Sequence, residues 1–262
     1  MATRHVVQMS GGIGSFWAAK RVAAQHGTDN LVLLFADTLT EDEDLYRFMD
    51  DASAHLGVAP TIVQDGRTPF EVFFDVKWLG NSRLAPCSKH LKQVPCRKWM
   101  TDHCDPADTI AYVGFDHAET RRLPGTVNGW SPWRVEFPMC DEPYWSKDRM
   151  LDECRALGIV VPRLYELGYE HNNCGGLCVR AGREQWLLTL DTFPARYAYA
   201  EELEEKFRAT HDKDVAILTE TVAGVKYPLT LAELRRRYEA GLVRRRKRIR
   251  QASLFDPAAA CC

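Results

Sequence analysis

The sequence lacks any long apolar run, and no stretch approaches the ~20 apolar residues that a membrane-spanning helix needs. We therefore expect no association with a membrane. A strand pattern is already reached at His5, which leaves no room for a signal peptide, so we expect a cytoplasmic protein. No internal repeat is present. The length of 262 residues suits one large domain, or a core domain with a smaller appendage.

Cysteine, in contrast, is abundant, with nine residues. In a reducing compartment, clustered cysteines more often bind a metal or perform redox chemistry than form disulfides. We expect Cys104 and Cys154 to be ordinary core residues, because free cysteine packs like a small hydrophobe. The charge is unevenly distributed, since nine Lys and Arg residues follow position 231. The chain is thus predicted to carry a basic tail on an acidic body.

The first third of the chain alternates strand and helix patterns. Apolar runs predict strands at residues 5–9, 30–35, 61–64 and 109–115. Helical patterns cover residues 14–26, 41–56 and 86–100, the last interrupted or bent at Pro95. This alternation predicts an α/β fold with an open, mostly parallel twisted sheet and helices on both faces.

The pattern changes after about residue 120. Residues 121–143 are rich in Pro, Gly and Trp and are predicted to form a loop with little regular structure. Further helices are predicted at residues 146–157, 180–190, 194–208 and 229–250. We divide the chain into a core at residues 1–125, a cysteine-containing region of helices and loops at 126–228, and a basic C-terminal helix with a disordered tail at 229–262.

The sharpest local signal is the glycine-rich turn SGGIGS at residues 10–15, which we call the phosphate loop. A strand pattern precedes it and a helix pattern follows, so unpaired N–H groups at a helix N-terminus can bind an anion there. Gly11, Gly12 and Gly14 would let the backbone approach a phosphate closely, and Ser10 and Ser15 add hydroxyl donors. The motif is neither a Walker sequence nor the dinucleotide-binding glycine pattern. A tight turn without a ligand is the alternative.

The phosphate loop resembles the pyrophosphate-binding loop, usually SGGxDS, of the PP-loop ATP pyrophosphatases. This superfamily includes sulfate-activating reductases, tRNA thiolation enzymes and DNA phosphorothioation enzymes. Residues 36–38, 114–122 and 171–182 are similar to its phosphoadenosine-phosphosulfate-reductase-like branch. We call residues 171–182 the cysteine segment. The resemblance implies nucleotide contacts at Asp37, Thr38, Gly114, Arg121 and Arg122, and an acidic residue of the site at Asp116.

One position departs from the family pattern. Gly14 stands where the family usually has aspartate, and the resemblance implies that this carboxylate helps to hold the metal–triphosphate complex. Asp37 or Asp116 are candidate replacements, because Mg²⁺ needs only one or two carboxylates beside phosphate oxygens. We therefore expect ATP and Mg²⁺ as ligands, with Ser10, Ser15, Asp37 and Asp116 as the catalytic residues.

The cysteine segment places Cys174 and Cys178 on either side of a glycine turn, where both thiols can face one metal centre. Cys87 and Cys96 are the best candidates for further ligands. An unbroken helix would put those two on opposite faces, but Pro95 is expected to interrupt it. An iron–sulfur cluster is the predicted cofactor, an option that the resemblance strengthens. Zinc completed by His171 or His90 is the alternative, and redox-active or inert thiols are a third.

The resemblance implies an enzyme that cleaves ATP to AMP and pyrophosphate and adenylates a substrate for sulfur transfer. The cations at residues 235–237 and 244–250 favour a nucleic-acid substrate, and DNA phosphorothioation is the most specific version. A solvated helix face is the alternative explanation of these cations. A cysteine desulfurase is the expected sulfur donor, and a homodimer or a modification complex is compatible with the sequence. A sulfonucleotide reductase, or a non-catalytic nucleotide-binding subunit, are the alternative functions.

Overall fold

A computed structural model describes residues 2–81 and 85–246 and contains a five-stranded sheet. The strands are β1 (Arg4–Gln8), β2 (Leu31–Asp37), β3 (Pro60–Gln64), β4 (Thr109–Val113) and β5 (Arg134–Glu136). Their order is β3-β2-β1-β4-β5, and every neighbouring pair is parallel. The expected α/β class is confirmed. Because β5 belongs to this sheet, the sheet extends past residue 125.

Four helices accompany the first four strands: α1 (Ile13–His26), α2 (Glu43–Leu56), α3 (Pro69–Val76) and α4 (Val94–His103). The start of α2 is fixed by Asp42, whose side chain accepts a hydrogen bond from the Asp44 N–H. A capping box formed by Thr68 and Glu71 starts α3, which the sequence patterns did not indicate.

The predicted interruption at Pro95 is wrong. A π-helical stretch, Ser88–Gln93, runs directly into α4, and the Val94 N–H bonds to the Lys89 carbonyl five residues back. Pro95 lies in the first turn of α4, directly after the change from π-helical to α-helical geometry. The chain therefore stays helical through Pro95.

The second half contains more regular structure than expected. The prediction of an irregular loop at residues 121–143 is wrong, because this stretch contains α5 (Leu123–Trp130), strand β5 and the 3₁₀ turn Pro138–Cys140. A 3₁₀ turn at His117–Arg122 precedes α5. Tertiary contacts stabilise this segment. For example, Arg97 donates to the carbonyls of Gly129 and Ser131 at 2.7 and 2.6 Å. Such contacts are invisible to local patterns.

The remaining elements form a largely helical region. They are α6 (Lys147–Ala156), α7 (Arg163–Glu166), α8 (Arg183–Thr192), α9 (Pro194–His211), the hairpin β6 (Leu218–Val222) and β7 (Val225–Leu229), and α10 (Leu231–Glu239). Helix α6 packs with α1 and α2 on one face of the sheet, whereas α4 covers the other face. A separate apolar cluster joins α3, α8, α9, the hairpin and α10.

The prediction of a single long helix over residues 229–250 is wrong. Residues 225–229 pair in the hairpin, α10 starts at the Thr230 cap, and it ends at Glu239 before Gly241, whose φ is 70°. The tail expected to be disordered, including Cys261 and Cys262, lies outside the described residues. Within the described chain, no helix is both long and apolar enough to cross a membrane.

Candidate functional site

The phosphate loop lies at the point where the strand order of the sheet reverses. Strand β1 has β2 on one side and β4 on the other, so the chain leaves β1 in one direction and later returns on the opposite side. In open α/β sheets, ligands bind at the carboxyl ends of the strands at such a point. The loop after β1 and the loop after β4 therefore form the candidate site.

The phosphate loop presents unpaired donors at the start of α1. Gly12 is the N-cap, and no side chain caps the helix. Among residues 2–81 and 85–246, the N–H groups of Gly11, Gly12 and Gly14 have no acceptor. These donors add to the positive end of the helix dipole, so the loop is suited to an anion.

The two serines of the loop have different environments. Ser15 is buried, and its hydroxyl donates to the Gly12 carbonyl at 2.8 Å while accepting from the Ser10 N–H at 3.2 Å. Ser10 is exposed. The Ser10 hydroxyl in turn donates to Ser15 Oγ at 3.3 Å, so Ser15 shapes the loop and Ser10 is its more exposed serine.

Gly14 packs directly against Gly114 in the loop after β4. A Cβ on Gly14 would lie 2.7 Å from the Gly114 carbonyl oxygen, and one on Gly114 would lie 2.6 Å from that of Gly14. Neither neighbour is a flexible side chain, so the two backbones would have to separate to admit any larger residue. The close contact with Gly114 thus leaves no space for an aspartate side chain at position 14.

The loop after β2 contributes Asp37 and Thr38. Asp37 Oδ1 accepts from the Tyr46 hydroxyl at 2.8 Å and from the Leu39 N–H at 2.9 Å. Thr38 is buried, and its hydroxyl donates to Glu41 Oε1 at 3.0 Å. Asp37 is therefore the half-exposed carboxylate at this strand end, while the Thr38 side chain supports Glu41.

The loop after β4 contributes Asp116 and two arginines. Asp116 Oδ1 caps the following 3₁₀ turn by accepting from the Ala118 N–H at 2.9 Å. Arg121 and Arg122 are both exposed, and Arg122 pairs with Glu119 and lies over the Phe115 ring at 3.9 Å from its centroid. The cation of Arg122 is thus partly neutralised by its own turn.

The cysteine segment folds back onto the phosphate loop, which sequence reasoning did not foresee. Asn172 Nδ2 donates to the Gly11 carbonyl at 2.8 Å, across a separation of 161 positions. The Tyr165 hydroxyl accepts from the Ile13 N–H at 3.1 Å and lies beside the Asn172 N–H. The two motifs identified from sequence therefore form one site, but the residues that join them were missed.

Three of the four predicted cysteine ligands lie near one another. The thiols of Cys174 and Cys178 hydrogen-bond to each other. Cys87 lies close enough to Cys178 for the charge of that thiolate to raise the pKa of Cys87. Burial is the main cause that raises the pKa of Cys87 to about 11. Cys96 instead packs in the apolar cluster under α4, where burial raises its pKa to about 12. The unbroken helix thus places Cys87 and Cys96 in different environments.

The thiol pair is asymmetric. The hydrogen bond from Cys174 lowers the pKa of Cys178, and the Arg180 N–H and the Lys92 charge act in the same direction against burial. That hydrogen bond, burial and the Glu41 carboxylate together raise the pKa of Cys174. Lys92 Nζ lies 3.1 Å from Glu41 Oε1. Cys178 is thus the favoured thiolate of the pair.

The residues do not fit a metal site in this arrangement. Within the described chain, no group of three or more His, Cys, Asp or Glu side chains could hold a metal ion. His171 lies near Lys147 and Glu119, and His90 lies near Asp65. The iron–sulfur cluster and its zinc alternative therefore stay predictions.

The arginines of α10 are paired with acidic residues. Arg235 pairs with Glu201 at 2.5 Å, Arg236 with Glu233 at 2.7 Å, and Arg237 with both Glu233 and Glu220. Beyond the helix, Arg245 pairs with Asp191 at 2.9 Å. These contacts match a solvated, ion-paired helix face, and the cations from residue 247 onward lie outside the described residues. Nucleic-acid binding stays a prediction.

Comparison with protein-family models finds no match, and no curated protein matches either. Among solved structures, 39 chains match. One of these is a phosphoadenylyl-sulfate (PAPS) reductase from Candida auris, crystallised as a phosphate complex. The chain is similar to it with a TM-score of 0.45 and 15% sequence identity, over 64% of this chain and 80% of that chain.

Proposed function

We propose that this protein is an enzyme that binds ATP on the phosphate loop and cleaves it to AMP and pyrophosphate. The observation that carries the proposal is the set of unpaired N–H groups of Gly11, Gly12 and Gly14 at the strand-order reversal. These donors are suited to the β- and γ-phosphates, which become the pyrophosphate leaving group. Charge that develops on the leaving oxygen is stabilised by donors already in position.

The reaction is an adenylation. A substrate oxygen attacks the α-phosphorus, the bond to the β-phosphate oxygen breaks, and pyrophosphate leaves. Asp37 and Asp116 are the candidate ligands for Mg²⁺, which would neutralise phosphate charge when bound. Asp37 has one oxygen engaged with Tyr46 and Leu39, so its position is fixed while its carboxylate stays half-exposed. The adenylated oxygen then becomes a good leaving group for sulfur.

We propose nucleic acid, and DNA specifically, as the sulfur acceptor, with a cysteine desulfurase as the donor. The support is the resemblance in sequence and the cations outside the ion pairs of α10, including the exposed Arg121. An iron–sulfur cluster remains a separate prediction, tested by anaerobic purification, an absorption spectrum and an iron assay. A colourless, iron-free protein would contradict it, and bound zinc would favour the alternative.

A sulfonucleotide reductase is the second candidate. The observation that favours it is the hydrogen-bonded Cys174–Cys178 pair beside Lys92, in the same segment that contacts the phosphate loop. A third candidate, a nucleotide-binding subunit without catalysis, is favoured by the contact that leaves no room for a carboxylate at position 14.

The test is an assay for AMP and pyrophosphate with purified protein and ATP, with and without DNA or RNA. We expect pyrophosphate to form, with AMP released when water or sulfur attacks the adenylated substrate. Asp37→Asn should reduce pyrophosphate formation at least tenfold while leaving the fold intact, because asparagine retains the oxygen that Tyr46 and Leu39 contact. Asp29→Asn, on the exposed turn before β2, is the matched control. Nucleotide binding with neither pyrophosphate nor AMP under any condition would support the non-catalytic subunit, and sulfite release from an adenylylated sulfate would support the reductase.

A further inference from the structure

We propose that Asn172 is a positioning residue that sets the direction of the Gly12 N–H in the phosphate loop and thereby links nucleotide binding to the cysteine segment. This inference rests on the proposed nucleotide-binding function. Asn172 belongs neither to the phosphate loop nor to the pair Cys174 and Cys178.

The first step concerns one peptide unit. Asn172 Nδ2 donates to the Gly11 carbonyl at 2.8 Å, and Asn172 is only 3% exposed. In a planar trans peptide, the carbonyl of one residue and the N–H of the next point in opposite directions. By holding the Gly11 carbonyl, Asn172 therefore turns the Gly12 N–H away from itself. That N–H has no acceptor in the described chain and is available to an anion.

The second step concerns which end of the amide matters. Asn172 Oδ1 is buried without a hydrogen-bond partner among the described residues. The Nδ2 group of this side chain therefore makes a hydrogen bond within the described chain, whereas burial of Oδ1 is not compensated by one. In addition, the Tyr165 hydroxyl, which accepts from the Ile13 N–H at 3.1 Å, lies beside the Asn172 N–H. Asn172 is therefore tied to two successive parts of the phosphate loop.

The third step leads to the thiols. One residue separates Asn172 from Cys174, whose N–H donates to Glu41 Oε2. The other oxygen of Glu41 is the one that pairs with Lys92, whose charge acts on both Cys174 and Cys178. Cys174 has a φ of 50°, in the left-handed region, so its conformation depends on these surrounding contacts. A shift of Asn172 is therefore transmitted to the thiol pair.

The consequence is a reciprocal linkage. If an anion on the loop favours the peptide orientation that Asn172 holds, then docking of Asn172 and anion binding must strengthen each other equally. Occupancy of the phosphate loop then slows opening of the cysteine segment. The thiols of Cys174 and Cys178 therefore become less accessible when ATP is bound.

The experiment measures ATP affinity by calorimetry and the rate of iodoacetamide labelling of Cys174 and Cys178 by mass spectrometry, on the full chain with and without saturating ATP. In the wild type, we expect ATP to slow labelling of both thiols. Asn172→Asp replaces the donor by an oxygen that repels the Gly11 carbonyl. It should weaken ATP binding about tenfold and remove the protection even at saturating ATP.

Two further variants make the result decisive. Asn172→Ala removes the donor without adding repulsion and should show the same losses, which guards against misfolding of the Asp variant. Asn173→Ala, one residue further on and without a side-chain cap bond, should retain both affinity and protection. Unchanged affinity in the Asn172 variants, or protection that persists in them at saturating ATP, would overturn the inference. A wild type that binds no ATP would contradict the proposed function itself.

Discussion

At the scale of single residues, the contact between Gly14 and Gly114 explains the departure from the usual phosphate-loop motif. The two loops at the strand-order reversal approach so closely that each glycine meets the backbone of the other. A side chain at either position can be admitted only by moving backbone. Gly14 is therefore a structural requirement of this close contact, and the loop presents backbone N–H groups rather than a carboxylate at this position.

We predict that Gly14→Ala lowers the free energy of unfolding by about 1–3 kcal/mol, because the new Cβ would lie 2.7 Å from the Gly114 carbonyl oxygen. Gly14→Asp should be at least as destabilising and should not increase AMP formation. Urea unfolding measures the first effect and the ATP assay the second.

The matched control for this prediction is Gly125→Ala, since Gly125 lies in α5 with no atom within 4 Å of its added Cβ. It should be neutral or stabilise by about 0.5–1 kcal/mol. A Gly14→Asp protein as stable as the wild type, with faster ATP cleavage, would show that the loops can separate without cost.

At the scale of elements, Glu204 joins three parts of the C-terminal region. This residue of α9 is fully buried, and its two carboxylate oxygens accept from the Ile217 N–H at 2.7 Å and the Leu231 N–H at 2.6 Å. One contact lies just before β6 and the other at the first residue of α10. The carboxyl group therefore positions the hairpin and α10, and helps to explain why the last helix starts at Leu231.

We predict that Glu204 makes stability depend on pH. Burial, against the two backbone N–H groups, raises the pKa of Glu204 from 4.5 to about 7. The folded protein thus binds this proton more tightly than the unfolded chain. The resulting stabilisation is complete below pH 4.5 and is lost as the pH rises through 7, a difference of about 3 kcal/mol.

The measurement is urea unfolding of the wild type and of Glu204→Gln between pH 4.5 and 8. The variant has no carboxyl group that titrates, so the difference in unfolding free energy between the two proteins should change across this range. Glu202→Gln, an exposed position on the same helix, should parallel the wild type. If the two Glu204 curves ran parallel, the buried carboxyl would not titrate in this window.

At the scale of the whole molecule, the buried carboxylate of Asp42 connects the sheet to the later helices. It caps α2, and it pairs with Arg163 of α7 at 2.7 Å and with Arg196 of α9 at 2.6 Å. Arg196 also donates to the Gly175 carbonyl at 3.0 Å. Burial alone would raise the pKa of Asp42, but these hydrogen bonds lower it below its usual value. One charge thus joins the two regions that form the candidate site.

We predict that Asp42→Asn lowers the free energy of unfolding by about 2–4 kcal/mol, because two arginines lose a buried partner while the helix cap is largely retained. Hydrogen exchange should increase in the cysteine segment and in α9. Asp51→Asn, which breaks an exposed pair with Arg47, should change stability by less than about 1 kcal/mol. Equal effects of the two variants would contradict a connecting role for Asp42.

The sequence by itself determined the parallel α/β class, the glycine-rich turn between β1 and α1, and the approximate positions of helices such as α6 and α9. These features depend on hydrophobic period, turn chemistry and capping, which are properties of neighbouring residues. The amount of regular structure in residues 121–143 was underestimated because contacts with distant residues, which local patterns do not show, stabilise it.

Only the tertiary structure decided how the site is assembled. The contact of Asn172 with Gly11 spans 161 positions, and that of Glu41 with Cys174 spans 133. Cys96 lies apart from Cys87 because the helix continues through Pro95, and Arg235 and Arg237 of α10 find acidic partners on α9 and β6. The topology of the chain, rather than local pattern, determines which distant groups meet. For this protein it brings the phosphate loop and the cysteine segment into one site.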